Sequence, residues 1–539
     1  MYQIQKPTNE SIRSYAQGEH TRVSLKQQLK AFTKEKIEIP CIIGGKEIRT
    51  GRKQKCIMPH DHHSVLGEYH QAGPEELKMA VQAALKAKTD WESLSWENRA
   101  AIFLKAAELI SGPYRDKVNA ATMLCQSKNV YQAEIDAACE LIDFFKFNAF
   151  YYQRFLRDQP LSTPPIWNQM DYRPLEGFVV AITPFNFTAI SGNLPTTPAL
   201  VGNTVIWKPS HTQVYSAFYV MKILQEAGLP DGVINFAPTT GSLISQVLFS
   251  MPELAGVHFT GSTFTFQNIY KTIGQNIHNY RSYPRIVGET GGKDFVFAHA
   301  SCDIQALVTA LIRGAFEYQG QKCSAASRAY IPKSIWSHVQ ELLVSEIKTI
   351  CIGDVRDFRN FVNAVIDQES YTKINNYIED AKNSNAAKIL IGGGAKSEVG
   401  YFIEPTVIVT TNPKYKTMVE EVFGPVLSIF IYDDTKYKET LKLCDETSAY
   451  ALTGAIFAQD RNALVEMSNV LRHAAGNLYI NDKPTGAVVG QQPFGGARAS
   501  GTNDKAGSIL NLLRWVSPRV IKENFVPPKD FRYPFMKEE

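Results

Sequence analysis

The chain lacks several patterns that would assign it to a class at once. None of its eight cysteines forms a C-x-x-C pair, and no cysteine–histidine cluster has the spacing of a metal site. The cysteines are scattered along 539 residues, which disfavours a disulfide framework and favours a reducing compartment. No apolar run approaches the ~18 residues that a membrane-spanning helix needs. We therefore expect no metal site, no disulfide scaffold and no membrane association.

Charge of one sign is also missing. A formal net charge of +4 is small for this length and gives no reason to expect a nucleic-acid partner. The N-terminal residues 1–7 lack the apolar core of a secretory signal, and Glu10 and Glu19 come too early for a mitochondrial transit peptide. A cytoplasmic protein is expected, or a protein of the mitochondrial matrix if the source is a eukaryote.

Short apolar runs alternate with helical stretches, which predicts a parallel α/β sheet. The length predicts two or three domains, because one core does not grow to this size. The polar first forty residues are expected to wrap the surface. Helices are predicted over residues 74–110, 131–152 and 214–227, and strands over residues 179–182, 204–207, 233–236, 256–259, 295–297, 329–331, 389–391, 406–409 and 426–431.

Cys323 differs from the other cysteines because polar and flexible residues surround it. It follows the turn Gly320-Gln321-Lys322, where a thiol is expected to be exposed and close to a cation that favours the thiolate. Glu289 precedes a pair of glycines that let a substrate approach the backbone. Together they suggest a nucleophile and a base. By contrast, three cysteines lie among apolar residues and are predicted to be core: Cys125, Cys139 and Cys351.

The usual dinucleotide fingerprint G-x-G-x-x-G is also absent. In its place, Gly261 and Ser262 open a predicted helix, where free backbone N–H groups favour a phosphate. Lys208 follows a predicted strand and is placed to bond a ribose hydroxyl. A Gly-Ser pair at a helix start is also an ordinary cap, so these positions alone leave the cofactor open.

Six motifs in a fixed order carry a resemblance to a known family. They are Pro184–Phe187, Trp207–Ser210, Phe259–Ser262, Glu289–Lys293, Gly320–Cys323 and Glu420–Pro425. In sequence and order they closely resemble the NAD(P)-dependent aldehyde dehydrogenase superfamily. The resemblance implies an α/β fold with a Rossmann-like cofactor domain, a catalytic domain and a β-hairpin for oligomerisation.

The resemblance also implies catalytic roles. Cys323 attacks the aldehyde, the Asn186 amide and the Cys323 N–H hold the oxyanion, and Glu289 activates water for deacylation. In the cofactor site it assigns Lys208, Ser210, Gly261, Ser262, Glu421 and Phe423. Many relatives that prefer NAD carry a Glu where this chain has His211, so NAD is expected and NADP is not excluded.

The segment Asn481–Asp504 narrows the resemblance to the Δ1-pyrroline-5-carboxylate dehydrogenases, which oxidise L-glutamate γ-semialdehyde to glutamate in proline catabolism. There, a Gly-Ala pair and a Ser after the nucleophile hold the substrate α-carboxylate. Two aromatic residues flank the aliphatic part, and an acid lies near the ammonium. The corresponding residues here are Gly486, Ala487, Ser324, Phe187, Phe494 and Glu140. From the helical pattern alone, a solvated surface is the simpler interpretation for Glu140 and its neighbours Glu134 and Asp136.

The resemblance divides the chain into segments. Residues 1–157 are expected to begin the cofactor domain, 158–174 to form an oligomerisation hairpin, and 175–288 to form the Rossmann-like core. Residues 289–483 are expected to form the catalytic domain, 484–514 the substrate-anchor loop and 515–539 an oligomerisation tail. A homodimer or a higher homo-oligomer is expected. The alternatives are another semialdehyde dehydrogenase, a non-catalytic relative and a cysteine-dependent hydrolase.

Overall fold

The computed structural model describes residues 3–538 and contains two large mixed sheets, each covered by helices. Met1 and Tyr2, which begin the first predicted segment, and Glu539, which ends the predicted tail, lie outside the described residues. Two α/β domains are the fold class that the sequence predicted.

The first seven-stranded sheet forms the N-terminal half. Its parallel strands run almost fully buried through the core, as in a doubly wound sheet covered on both faces. In spatial order its strands are Arg285–Glu289, Leu254–Thr260, Phe178–Ile182, Thr204–Lys208, Ile234–Phe236, Cys41–Ile43 and Lys46–Ile48. The last two pair antiparallel through a turn at Gly44 and Gly45.

The second seven-stranded sheet forms the C-terminal half. Its central strand Ala326–Pro332 begins three residues after Cys323, so the nucleophile precedes the start of a buried parallel strand. In spatial order the strands are Ala387–Ile391, Thr406–Thr410, Val426–Tyr432, Ala326–Pro332, Asp294–Ala298, Thr453–Phe457 and Asn477–Ile480.

Four smaller sheets complete the strands. A long two-stranded ribbon pairs Ile166–Pro174 with Val516–Asn524 in antiparallel register. The predicted hairpin segment therefore supplies one strand, and the C-terminal tail of the same chain supplies its ladder partner. The others are Ile37–Ile39 with Asp61–His70 and Lys53–Met58, Ala395–Lys396 with Phe402–Ile403, and Tyr450–Ala451 with Ala497–Arg498.

The helices cover both faces of these sheets. The α-helices are His20–Lys34, Pro74–Ser93, Trp96–Ser111, Arg115–Gln126, Val130–Ala133, Glu140–Leu156, Thr188–Leu200, Val214–Ala227, Gly241–Val247, Thr263–Gln275, Ile304–Phe316, Lys333–Ile347, Gln368–Lys382, Lys416–Val419, Tyr437–Glu446, Arg461–Val470 and Ile509–Leu513. Glu134–Cys139 is a π-helix, and short 3₁₀ turns are His211–Gln213, Ile277–Asn279, Glu317–Gly320, Asp434–Lys436 and Pro534–Met536.

Three predictions of local structure are wrong. The helix over 74–110 is two helices, because Ser95 caps a new helix by accepting a hydrogen bond from the Asn98 N–H. The first forty residues are not merely a surface wrap, since helix His20–Lys34 buries Leu25, Leu29 and Phe32. Cys351 is exposed rather than core, because it lies just beyond helix Lys333–Ile347 in a loop.

Candidate active site

One cavity of about 330 Å³ brings most of the predicted catalytic and substrate residues together. Cys323 and Glu289 line it, although they belong to different halves of the molecule. The predicted substrate residues that line it are Glu140, Phe187, Ser324, Gly486, Ala487 and Phe494. A cavity of this size suits a small metabolite that is largely enclosed.

The turn that carries Cys323 is wound through left-handed backbone. Gln319 and Gly320 have φ angles of +55° and +65°, and a Cβ on Gly320 would lie 2.1 Å from a backbone carbonyl oxygen. Only glycine fits there without a clash. The Gln319 amide fixes the turn by donating to the carbonyls of Ser127 and Ala364 at 3.0 and 2.8 Å. The nucleophile is therefore presented from a rigid support.

The electrostatics of Cys323 differ from the prediction. Burial raises the pKa of the Cys323 thiol well above its usual value, and nearby carboxylates, Glu289 among them, raise it further. The Lys322 ammonium is directed elsewhere, 3.3 Å from Asp136 and 3.7 Å from Glu317. The expectation that a neighbouring cation favours the thiolate is therefore wrong. The surroundings of the half-buried sulfur therefore favour the thiol form.

Glu289 has the properties of a general base. It ends strand Arg285–Glu289, and its Oε2 accepts a hydrogen bond from the Gly496 N–H at 3.3 Å. Burial raises the pKa of Glu289 well above its usual value, while the Gly496 bond and the charge of Lys505 act in the opposite direction. A raised pKa makes a carboxylate a stronger base near neutral pH.

Asn186 is not among the residues that line the cavity, although the next residue in the chain, Phe187, is. Asn186 is only 4 % exposed, and its amide nitrogen donates to the Gln321 carbonyl at 3.0 Å. That bond fixes the amide against the turn of Cys323. Because an amide nitrogen carries two hydrogens, one remains for an oxyanion at the nucleophile.

The loop around Gly486 meets Ser324 in the lining of the cavity. The Ser324 hydroxyl lies 2.7 Å from the Thr485 hydroxyl, and both side chains are buried. Gly486 has a φ of +93°, a conformation that turns successive N–H groups toward one point. The group can therefore hold a carboxylate. Thr485 was not predicted, although its place beside Gly486 and Ala487 was a signal.

A buried charge cluster stands beside Phe187 and Glu140. Asp136 accepts from Lys128 at 2.5 Å, and the Lys128 ammonium lies 4.1 Å from the centre of the Phe187 ring. Burial raises the pKa of Glu140 well above its usual value, as does Asp136, and Lys128 and Lys322 oppose them. The sequence missed Lys128 and Asp136. The solvated-face interpretation is wrong for Glu134 and Asp136, which are 0 and 5 % exposed.

The predicted ribose ligand Lys208 ends strand Thr204–Lys208. Burial lowers its pKa to about 8, and within residues 3–538 no acceptor is bonded to its ammonium. Ser210 lies 3.4 Å from the Thr212 hydroxyl, and His211 begins the turn that follows. Burial and Lys208 both lower the pKa of His211, which is therefore neutral. An unpaired ammonium of this kind fits a ligand that offers hydroxyl groups.

Gly261 and Ser262 stand where the sequence placed them, at the start of helix Thr263–Gln275 after strand Leu254–Thr260. The Ser262 hydroxyl caps the helix by accepting from Thr265 N at 3.2 Å and remains exposed. The ordinary cap is thus real. It leaves the other free N–H groups of the first turn available to a phosphate.

Glu421 and Phe423 lie behind Cys323, around a cavity of about 10 Å³. Glu421 accepts a hydrogen bond from the Gly292 N–H at 2.9 Å, and burial raises its pKa. Phe423 has a φ of +60° and meets Phe185 edge to face at 5.8 Å. With Lys208 and Ser262, these residues remain the predicted ligands of a dinucleotide. Among the described residues, no helix is long and apolar enough to cross a membrane, and no group of ligating side chains could hold a metal ion.

Comparison with known proteins agrees with this geometry. The profile of the Aldehyde dehydrogenase family matches residues 47–518. Delta-1-pyrroline-5-carboxylate dehydrogenase, mitochondrial, of Dictyostelium discoideum is 55% identical over 536 residues, covering 99% of this chain and 96% of that protein. The Homo sapiens protein of the same description is 48% identical over 533 residues, covering 99% of this chain and 95% of the relative.

Solved structures extend the similarity to the whole fold. The Delta-pyrroline-5-carboxylate dehydrogenase of Mycobacterium tuberculosis bound with NAD superposes with a TM-score of 0.96 at 51% identity, covering 100% of this chain and 99% of that one. The Thermus enzyme with bound NAD gives 0.91 at 32% identity, covering 97% and 100%. The chain therefore belongs to the aldehyde dehydrogenase family.

Proposed function

We propose that this protein oxidises L-glutamate γ-semialdehyde, the open form of Δ1-pyrroline-5-carboxylate, to L-glutamate with NAD, as a step of proline catabolism. The observation that carries the proposal is the single cavity shared by Cys323, Glu289 and the loop at Gly486. This shared lining supports a reaction in which a nucleophile, a base and a carboxylate site act on one small molecule. The high identity to proteins described as Δ1-pyrroline-5-carboxylate dehydrogenases supports it.

The reaction begins at Cys323. Its thiol loses a proton to solvent water, and the sulfur then adds to the aldehyde carbon and forms a thiohemiacetal, with the negative charge on the former carbonyl oxygen. The free hydrogen of the Asn186 amide and the Cys323 N–H are the donors for that oxygen. Such donors act where charge develops, and each typically contributes ~10²–10³ in rate.

The second half completes the oxidation. Bound NAD supplies the hydride acceptor. Loss of hydride from the thiohemiacetal carbon leaves a thioester on Cys323. Glu289 then takes a proton from water, whose oxygen attacks the thioester carbon, and the C–S bond breaks to release the acid and the thiol. The raised pKa of Glu289 suits this step.

Recognition of the substrate divides among three surfaces of the cavity. The N–H groups of Gly486 and Ala487, with the Ser324 hydroxyl, hold the α-carboxylate. Phe187 and Phe494 flank the aliphatic chain. Glu140 provides negative charge for the α-ammonium, which stabilises the ionised form of a carboxyl whose pKa burial has raised.

The residues that would hold the cofactor are Lys208, Ser210, Gly261, Ser262, Glu421 and Phe423. Lys208 would bond the adenine ribose, the helix that starts after Ser262 would bind the pyrophosphate, and Glu421 would bind the nicotinamide ribose. NAD is the proposed cofactor. Because His211 has no carboxylate to repel a 2′-phosphate, NADP is not excluded.

The assembly and location are part of the same proposal. The ribbon of Ile166–Pro174 and Val516–Asn524 displays exposed apolar side chains, including Trp167 and Val520. We propose that it forms the contact between subunits of a homodimer or a higher homo-oligomer. The eight unpaired cysteines favour a reducing compartment, either the cytoplasm or the mitochondrial matrix. For the segments of the chain, we propose the boundaries predicted from the sequence.

A substrate comparison tests the proposal. NADH formation is measured with glutamate semialdehyde, succinate semialdehyde and acetaldehyde, with wild-type protein and Cys323→Ala. We expect kcat/KM to be highest for glutamate semialdehyde and activity to vanish in the variant, which still binds NAD. Equal or higher kcat/KM with succinate semialdehyde would refute the assigned substrate. Ester cleavage without NADH formation would indicate a hydrolase.

A further inference from the structure

A short piece of the N-terminal region closes one side of the substrate cavity. Residues 9–12, here called the N-terminal strap, contribute Asn9, Glu10 and Ile12 to the cavity lining. The strap lies between helix Glu140–Leu156 and the loop of residues 484–492. It therefore contacts the element that carries Glu140 and the element that carries Gly486.

The Asn9 amide uses both of its ends as a cross-link. Its nitrogen donates to Asp143 Oδ2 at 2.8 Å and to the Val489 carbonyl at 2.7 Å. Its oxygen accepts from the Gln491 amide at 2.8 Å. Two of these three bonds reach the loop, and one reaches the helix. An apolar side chain at this position would break all three.

The helix end of the cross-link is anchored by a buried carboxylate. Asp143 is 3 % exposed, and its second oxygen accepts from the Glu10 N–H at 2.8 Å. A buried carboxylate is costly unless it is hydrogen-bonded, and the strap supplies both donors. The Glu10 side chain adds ion pairs to Arg115 at 2.6 Å and Lys146 at 2.9 Å. The strap is thus fixed to the body of the protein.

We propose that Asn9 is a positioning residue that fixes the separation between the carboxylate site and the ammonium site. Val489 follows Gly486 by three residues, and Asp143 follows Glu140 by three residues, about one helical turn. Linking Val489 to Asp143 therefore holds the two recognition groups at a set distance. This inference rests on the proposed function and makes the strap a determinant of specificity for aldehydes that carry both an α-carboxylate and an α-ammonium.

Kinetics with two aldehydes test the positioning role. Propanal lacks both charged groups, so its oxidation does not depend on their spacing. For Asn9→Ala we expect KM for glutamate semialdehyde to rise about tenfold, the effect of losing one or two hydrogen bonds that order the loop. The kcat with this substrate and kcat/KM with propanal should stay within about twofold. Gln17→Ala, an exposed change nearby, serves as the matched control.

The proposal is overturned if Asn9→Ala leaves the KM for glutamate semialdehyde unchanged, or if kcat/KM falls equally for both aldehydes. Hydrogen exchange without substrate provides a second readout. We expect the amides of residues 486–492 to exchange about tenfold faster in Asn9→Ala, and unchanged exchange there also overturns the role. This measurement decides the strap even if wild-type protein fails to oxidise glutamate semialdehyde. Should Asn9→Ala not fold, Gln491→Ala removes one loop bond at an exposed side chain and should show the same two changes at smaller size.

Discussion

Removing the Asp136 carboxylate tests the buried charge cluster beside the substrate cavity. Lys128 has a fully buried side chain, and Asp136 is its ion-pair partner at 2.5 Å. Lys322 would keep Glu317 at 3.7 Å, so Asp136→Ala leaves one ammonium without its partner. Breaking a buried pair in this way costs about 3–5 kcal/mol, which is a large share of the ~5–15 kcal/mol that stabilises a typical protein.

The assay is thermal unfolding of Asp136→Ala against wild type, with Asp357→Ala as control. Asp357 pairs with Arg359 at 2.7 Å on the exposed surface, where a single pair contributes almost nothing measurable. We expect a marked drop in Tm for Asp136→Ala and none for the control. Asp136→Ala with Lys128→Met should recover most of the loss, because the Phe187 and Tyr318 rings at 4.1 and 4.3 Å accept an apolar side chain.

The stability loss of Asp136→Ala should also change with pH in a definite direction. Burial lowers the pKa of Lys128 to about 8 even with Asp136 present, and removal of Asp136 lowers it further. Folding therefore opposes the charged form of Lys128. The loss of stability caused by Asp136→Ala should be full at pH 6 and should shrink as the pH rises toward 8, because above that pH Lys128 is neutral in both folded proteins. Equal Tm values at pH 6 would refute the reasoning.

Three further outcomes are expected. Glu289→Gln should form one equivalent of NADH in a burst and then turn over 10²–10⁴-fold more slowly, measured by stopped-flow, and normal turnover would contradict its role as base. The rate at which iodoacetamide alkylates Cys323 in free enzyme, followed by mass spectrometry, should keep rising with pH beyond the pH at which an ordinary thiol is fully ionised, because burial raises the pKa of Cys323. A rate that levels off near pH 7 would contradict this expectation. Gly292→Ala should abolish activity, because its Cβ would lie 2.2 Å from the Cys323 carbonyl oxygen; retained activity would show that this contact yields easily.

Local signals account for what could be predicted from the sequence. The helix Val214–Ala227 has the predicted bounds because Gly228, with a φ of +98°, ends it. The core strands could be predicted because buried parallel strands are short continuous apolar runs. Helix His20–Lys34 was not predicted because mostly polar residues surround Leu25, Leu29 and Phe32, so only these three buried positions carry the helical spacing.

The predictions for the active site also divide into those that rest on local signals and those that do not. Motifs next to glycine turns, such as those of Cys323 and Gly486, were found because their chemistry is local to a few residues. The charges around Cys323 could not be predicted in this way. Lys322 was assigned to the thiol because it precedes it, whereas its ammonium binds Asp136 of a distant π-helix. The strap was missed for the same reason, because Asn9 meets Val489 only in the folded chain.

The substrate cavity around Cys323 is lined by widely separated parts of the chain, including residues 9–12 and 485–511. During translation, a ribosome exports Cys323 and Glu289 well before it exports the last of those walls. The growing chain therefore exposes Cys323 and Glu289 before the residues that bind the substrate have been made. The enzyme can therefore become active only after Gly486 and the residues that follow it have left the ribosomal exit tunnel and packed against the part of the chain that is already folded.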